Sequence, residues 1–262
     1  MASLYLSYFA QFLKGRLSYR VDFFASIFVN LFVGLVGLLF IVFLVDGDRV
    51  SDLRGWRREE LLFVYGYSML PLSIFGVLAP NLYSFGDRFV IKGYFDIVLM
   101  RPLNSLSQVL FESFNLESVA NFILGLLIVF YALGELSLEL GVFDLLWLFI
   151  SSISGAVIIL SVFVVLASLS FHFEDRMGVA PPFYNLMSFS RYPLTIYNGA
   201  VQFVLSWVVP FAFASFFPAT HFLGRGEFFY YCYFSPFVAA ICALFAAFMW
   251  NFGVSRYSST GT

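Results

Sequence analysis

Five long stretches of this chain contain no Lys, Arg, Asp or Glu, and each is long enough to cross a lipid bilayer as a helix. A spanning helix needs about 20 apolar residues, because each residue rises about 1.5 Å and the hydrocarbon layer is about 30 Å thick. The stretches are residues 23–45, 61–86, 145–173, 192–224 and 228–255. They are far longer than barrel strands and do not alternate in polarity, so they predict helices.

A sixth stretch, residues 118–134, is short for a span by itself. It reaches full length if its helix begins near Ser107 and carries Glu112 and Glu117 in its first turns. Only 14 Lys and Arg and 16 Asp and Glu occur in 262 residues, of which 61% are hydrophobic. That is too little charge and too much apolar surface for a soluble domain. We therefore predict an all-α polytopic membrane protein with six transmembrane helices in one domain, residues 1–262.

The sequence lacks the motifs of common catalytic and nucleotide sites. It contains no G-x-x-x-x-G-K-[ST], G-x-S-x-G or H-E-x-x-H pattern. His172 and His221 have no companion at metal-ligand spacing, and Cys232 and Cys242 are expected to be packing residues. A net charge of −2 gives no basic excess for nucleic acid. We predict no catalytic, cofactor-binding or metal-binding residue and no nucleic-acid partner.

Two other membrane functions stay open at this point. A stand-alone secondary carrier or channel is the main alternative, although an ion-driven carrier buries ionisable groups near the midplane. Only Glu112 and Glu117 qualify, and they lie about 140° apart near one end of a helix, as interfacial carboxylates do. No clear inverted repeat is present. A lipid-modifying enzyme needs clustered polar groups, and Asn30, Asn81 and Asn121 are scattered along the sequence.

The distribution of Lys and Arg favours cytoplasmic N- and C-termini. With that orientation nine cationic residues lie inside, or eight if Arg191 lies outside, and five or six lie outside. The inside set is Lys14, Arg16, Arg20, Arg88, Lys92, Arg101, Arg176, Arg191 and Arg256, and the outside set is Arg49, Arg54, Arg57, Arg58 and Arg225.

Residues 1–20 predict an interfacial helix rather than a span. Polar side chains at positions 3, 7, 11, 14 and 18 form a narrow stripe on a helix, and apolar residues fill the remainder. The pattern is typical of an amphipathic helix that lies along the cytoplasmic surface and turns into the first span. Lys14 belongs to the stripe. Arg16 and Arg20 lie opposite it, so either Gly15 loosens the helix or both side chains reach the headgroups.

The second cytoplasmic segment, residues 87–106, is amphipathic. Lys92, Asp96 and Arg101 are interleaved with apolar side chains, and Pro102 ends any short helix before the third span. A short helix lying flat at the membrane suits docking by a cytosolic partner. An interfacial loop without a partner explains the pattern equally well.

Residues 177–224 contain Pro181, Pro182, Pro193, Pro210 and Pro218, each of which interrupts a helix. One interpretation has a cytoplasmic loop over residues 174–192 and a single span over 196–217. The other has a span near residues 177–192, followed by a re-entrant hairpin over 193–217. Broken backbone at that depth is tolerated only where protein or water covers it.

Three stretches carry a resemblance to a known family. They are RLSYRVDFF at residues 16–24, IKGYFDIVLMRPLN at 91–104, and YPLTIYNG with PFAFASFFPATHFLG at 192–199 and 210–224. They and the order of parts resemble permease subunits of bacterial type-2 ABC exporters, of the subgroup long catalogued as an uncharacterised ABC transport system permease component. That family has an N-terminal amphipathic helix, six spans, a coupling helix between spans two and three, and a re-entrant hairpin before span six.

The resemblance implies the membrane half of an ATP-driven exporter in a bacterial inner membrane. Two permease subunits, identical or homologous, would form the substrate path between them and bind two copies of a cytosolic ATPase, which would hold ATP and Mg²⁺. The coupling contacts would fall on the second cytoplasmic segment, with the N-terminal helix and its Lys14, Arg16 and Arg20 as a second contact. The coupling residues implied are Lys92, Gly93, Tyr94, Asp96, Arg101 and Pro102. The 21% aromatic content suits an amphipathic or lipid-like cargo, although lipid-facing side chains explain it as well.

Overall fold

The computed structural model describes residues 13–15, 18–46, 55–173 and 180–258. Within these ranges it is helical without a strand, and five helices are long and apolar enough to cross a membrane. The helices are α1 Arg20–Asp46, α2 Arg58–Leu78, α3 Tyr94–Met100, α4 Ser105–Phe111, α5 Ser118–Glu135, α6 Val142–Leu169, α7 Ala180–Ser188, α8 Gly199–Phe203, α9 Phe211–Ala214, α10 Phe216–Phe222 and α11 Ser235–Arg256. The predicted all-α polytopic fold is confirmed.

Shorter helical pieces connect these helices. One-turn α-helices cover Pro80–Tyr83 and Phe229–Cys232, and π-helical turns cover Gly86–Ile91 and Val204–Val208. Short 3-10 turns cover Phe189–Arg191, Leu194–Ile196 and Gly226–Phe228. The helix bundle has two opposite ends, which we name the Phe95 end and the Trp56 end. The Phe95 end holds α3 and the last turns of α2, α6 and α11, and the Trp56 end holds the first turns of α2 and α6.

Helix α2 is the centre of the bundle, and its close approach to α5 depends on glycine. A side-chain carbon at Gly66 would lie 2.8 Å from Ile128, and one at Gly125 would lie 2.8 Å from Met69. Both distances are too short for any larger residue. Small residues at crossing points let membrane helices pack backbone to backbone, where apolar burial gives little driving force.

Helix α1 packs loosely by contrast. Only 11% of the most apolar stretch of α1 is buried inside the protein, against 72% of the corresponding stretch of α2. Exposed side chains follow one another along most of its length, including Phe24, Phe28, Phe32, Phe40 and Phe43. An apolar helix with so much exposed surface is suited to face lipid or another subunit.

The third span does not start near Ser107 as predicted. Helix α4 ends at Phe111, residues 113–115 are non-helical, and α5 begins at Ser118. Two hydrogen bonds draw the backbone away from a continuous helix. Asn115 N donates to the Val77 carbonyl at 3.1 Å, and Asn81 Nδ2 donates to the Val109 carbonyl at 2.7 Å. These long-range bonds replace helical ones, which the sequence pattern does not reveal.

The proline-dense segment crosses the bundle and then folds back on itself. Tyr184 packs on Tyr83 near the Phe95 end, with ring centroids 5.6 Å apart. Thr195 accepts a 2.7 Å hydrogen bond from Trp56 Nε1 at the opposite end. The chain therefore passes from one end of the bundle to the other in about a dozen residues.

After that crossing, α8 and its π-turn lead to Pro210, where the helical path bends by 70° into α9 and α10. The Ala214 carbonyl at the turn lies so close to Gly155 that a side-chain carbon there would be only 2.2 Å away. Gly155 stands about 20 Å along α6 from Val142, at 1.5 Å per residue. These contacts favour the hairpin interpretation of residues 193–217, and its depth in a membrane stays a prediction.

Candidate functional site

The segment between α2 and α4 folds into a compact unit at the Phe95 end. Gly93 takes a left-handed conformation with φ of 70°, which lets the backbone turn sharply from the π-helical Gly86–Ile91 into α3. Arg101 is extended because Pro102 follows it, so α3 ends at Met100. The Asn104 side chain then accepts a hydrogen bond from Ser107 N at 3.0 Å and caps α4.

Aromatic rings anchor α3 to the ends of two spans, α6 and α11. Phe95 is fully buried, and its ring lies 4.9 Å from Phe171 after α6 and 6.0 Å from Trp250 in α11. It also lies 5.9 Å from Phe85 and 5.1 Å from Tyr257. We call these five residues the aromatic cluster. Ring pairs at such distances add favourable geometry to a large buried area, so a displacement of α3 would be transmitted to the ends of α6 and α11.

A polar network flanks the aromatic cluster. Arg88 donates to Asn81 Oδ1 and to Glu112 Oε1, each at 3.0 Å. Ser113 donates to the same Asn81 oxygen at 2.8 Å, and the Tyr94 hydroxyl donates to Glu112 at 2.7 Å. The hydrogen bond to the Glu112 carboxylate raises the pKa of Tyr94, and burial and the carboxylate charge add to the effect. The network ties α3 to the segment before α5.

The side of α3 that points away from the aromatic cluster is exposed. Ile97, Leu99 and Met100 all present apolar surface, and Met100 is 77% exposed. Lys92, also exposed, pairs with Asp87 at 2.5 Å. A short helix with one face packed against the protein and the other face exposed and apolar is suited to contact a second protein.

A polar cavity of about 450 Å³ lies among α1, α2, α5, α6 and α7. It contains side chains that the sequence separates widely, including Asn30, Ser73, Asn115, Asn121 and Arg191. Among the residues that the structure describes, no group of three or more His, Cys, Asp or Glu side chains is placed to hold a metal ion.

A family model described as ABC-2 family transporter protein matches residues 8–261, which is nearly the whole chain. The chain belongs to the ABC-2 transporter family. Searches of curated proteins and of solved structures gave no match. This ABC-2 family protein is therefore a membrane-embedded permease subunit of an ABC transporter, a transport subunit rather than a catalytic one, and its family works with a cytosolic ATPase. The membership disfavours the stand-alone carrier.

The ABC-2 family protein brings all six predicted coupling residues together around α3. Lys92 and Gly93 precede the helix, Tyr94 and Asp96 lie in its first turn, and Arg101 and Pro102 follow it. Asp96 faces Tyr257 after α11. Burial and the Asp96 carboxylate raise the pKa of Tyr257 to about 12.

The predicted interfacial helix lies mostly outside the described residues, Arg16 included. Lys14 is helical and exposed, and its carbonyl accepts a hydrogen bond from the Ser18 hydroxyl at 3.0 Å. Arg20 is the first residue of α1. An amphipathic helix leading into the first span stays a prediction.

The sequence did not reveal several contacts of this ABC-2 family protein. Glu112, expected to be a simple interfacial carboxylate, is the acceptor for both Arg88 and Tyr94. Asn30 and Asn121, which look scattered in the sequence, line one cavity. Of these residues, only Glu112 could have been singled out from the sequence, because it and Glu117 are the two charges that precede the uncharged run 118–134. The asparagine cluster depends on how α1 and α5 meet.

Proposed function

We propose that this protein is the permease subunit of an ATP-driven exporter in a bacterial inner membrane. Two permease subunits, identical or homologous, form the substrate path and bind two copies of a separate ATPase that holds ATP and Mg²⁺. Both termini and the Phe95 end face the cytoplasm. The hairpin of residues 193–217 enters from the outer side and ends against Gly155, where protein covers its backbone.

One observation carries the proposal, namely the attachment of α3. Its inner face is held by the aromatic cluster, and its outer face leaves Ile97, Leu99 and Met100 exposed. When an ATPase closes around ATP and displaces the outer face of α3, that displacement would therefore be transmitted to α6 and α11 through Phe171 and Trp250. Lys92, Asp96 and Arg101 supply charges at the rim of that face.

The first test is association. The protein purified from its native host should carry a nucleotide-binding subunit, and ATP hydrolysis by that subunit should depend on the permease. The proposal fails if no such subunit co-purifies and added ATPase subunit is not stimulated.

Charge reversal sharpens this test. Asp96→Lys or Arg101→Glu should abolish permease-dependent ATP hydrolysis while the protein still inserts and folds, because both positions border the docking face. Glu227→Lys is the matched control, since Glu227 is exposed and lies in the turn before α11, away from α3. Loss of insertion in the first two variants would show that those residues are structural. Normal coupling in both would contradict the assigned docking face.

A further inference from the structure

The cavity among the helices is lined by side chains with buried polar atoms that make no hydrogen bond within the protein. Asn115 Oδ1, Asn121 Oδ1 and Arg191 Nε are buried and make no hydrogen bond. Leaving a buried polar atom unpaired costs about 1–3 kcal/mol, and more for a charged group, so such atoms mark a place for a ligand or water. Three of them line one cavity of about 450 Å³.

The charge in this cavity is positive. Arg191 is the only charged residue among its described lining residues, and no carboxylate lines it. The guanidinium lies beside the neutral Tyr65 phenol, whose hydroxyl donates to the Gly34 carbonyl at 2.8 Å. Glu117 is buried near Ser118 but does not line the cavity. A cation among membrane helices is costly unless an anion meets it.

The depth of Arg191 supports a ligand rather than a surface role. It ends the short turn between α7 and the Thr195 contact, so it lies partway between the two ends of the bundle. On α2 the cavity reaches from Met69, in the middle of the helix, to Ala79 at its end. The cavity therefore extends from the Phe95 end to the middle of α2, with Arg191 on its inner wall.

The rest of the lining is apolar and aromatic. Phe75 and Phe163 form part of the wall, with ring centroids 4.8 Å apart. Tyr83 and Tyr184 also belong to the lining and are about half exposed, which places them at the mouth. A site with a deep guanidinium, amide oxygens and an aromatic mouth suits a molecule that is polar at one end and apolar at the other.

We propose that this cavity binds the anionic headgroup of an amphiphile. An anionic oxygen group of the headgroup accepts from Arg191, hydroxyl or amine donors of the same headgroup bond the Asn115 and Asn121 oxygens, and the apolar chain leaves between Tyr83 and Tyr184. That the amphiphile is a transported substrate rests on the proposed function, whereas its binding does not.

Binding is tested on the full chain in nanodiscs made with a phosphatidylcholine background. Phosphatidylglycerol with matched acyl chains is the probe, because it combines a phosphate with hydroxyl donors, and native mass spectrometry counts the molecules retained. The wild-type protein should retain phosphatidylglycerol over phosphatidylcholine. Arg191→Gln should lower that retention about ten-fold, the usual effect of losing a hydrogen bond to a charged group.

Arg256→Gln is the matched control. Arg256 is exposed at the end of α11 and stacks on Phe252 with 5.4 Å between the guanidinium carbon and the ring centroid. It attracts headgroups at the surface only, so retention should not change. Asn121→Leu covers the case in which Arg191→Gln misfolds, and it should lower retention without altering net charge.

The outcomes separate the proposals. Equal retention of both lipids by the wild type, unchanged retention in both cavity variants, or displacement of the lipid by millimolar inorganic phosphate would overturn the cavity proposal. Loss of retention in Arg191→Gln or Asn121→Leu, with the Arg256→Gln control intact, supports it. A wild-type protein that retains the lipid but neither binds nor stimulates an ATPase leaves the binding site standing and contradicts the exporter function.

Discussion

The two ends of the bundle are held together by different interactions. At the Phe95 end, a short helix joins the ends of α6 and α11 through ring contacts, with Phe95 at the centre of the aromatic cluster. At the Trp56 end, ionic contacts join the loop after α10 to the start of α2. Arg225 donates to Glu60 Oε2 at 2.6 Å and to the Gly55 carbonyl at 2.7 Å, and its guanidinium carbon lies 4.1 Å from the centroid of the Trp56 ring.

A second polar contact strengthens the Trp56 end. His221 Nε2 lies 2.8 Å from Asp144 Oδ1, and the other ring nitrogen lies 2.8 Å from the Tyr233 hydroxyl. Directional bonds of this kind fix the position of α10 and the loop after it against α2 and α6. Ring packing depends more on buried area and less on one pairing. The difference teaches that directional contacts hold the Trp56 end in one arrangement, whereas ring packing joins α3 and the ends of α6 and α11 into one unit.

The largest expected effect follows from removing the ring at the centre of the aromatic cluster. Phe95→Ala should lower the free energy of unfolding by about 3–5 kcal/mol, because a fully buried ring is lost and a cavity is left. Ile97→Ala is the matched control on the exposed side of the same helix, and it should leave stability nearly unchanged. Thermal unfolding in detergent measures both. Equal losses in the two variants would refute the two-faced assignment of α3.

A smaller loss is expected at the Trp56 end. Arg225→Gln removes the ionic contact and leaves the largely buried Glu60 carboxylate without its cation, which should cost about 2 kcal/mol. Arg57→Gln is the control, because Arg57 is exposed and only its backbone contacts Glu60. The measurement is the same thermal unfolding, together with protease cleavage near residue 225. Unchanged stability in Arg225→Gln would mean that the hairpin is held by its aromatic contacts alone.

The smallest effect concerns alkaline pH. Tyr257 has its pKa raised to about 12, so the folded protein retains this proton after an unfolded chain, with a pKa near 10, has lost it. The contribution of Tyr257 to stability is complete below about pH 10 and is lost as the pH rises towards 12. Tyr257→Phe should reduce the fall in melting temperature over that range, and Tyr230→Phe at the other end should not. An identical fall in all three proteins would contradict the raised pKa of Tyr257.

The sequence predicted the limits of the short helix α3 better than its contacts. Gly93 and Pro102 bound a short helix for local reasons, a left-handed turn before it and an extended residue after it, so its limits are readable from the chain. Phe171, Trp250 and Tyr257 lie far from Phe95 in sequence, and nothing local shows that they meet it. The start of the third span was predicted wrongly for the same reason, since Asn81 and Val77 compete for its backbone from a distance.

By itself the sequence determined that the protein lies in a membrane, that its fold is helical and roughly where most spans lie, because a backbone in hydrocarbon must satisfy its own hydrogen bonds. Only the tertiary structure decided which span is central. Helix α1 has the higher mean hydropathy, yet α2 is the buried one, because Gly66 and Gly125 permit close packing. Tertiary packing also brought Asn121 and Arg191 to one cavity. Hydropathy measures the preference of a side chain for lipid or water and carries no information about which helix it will face.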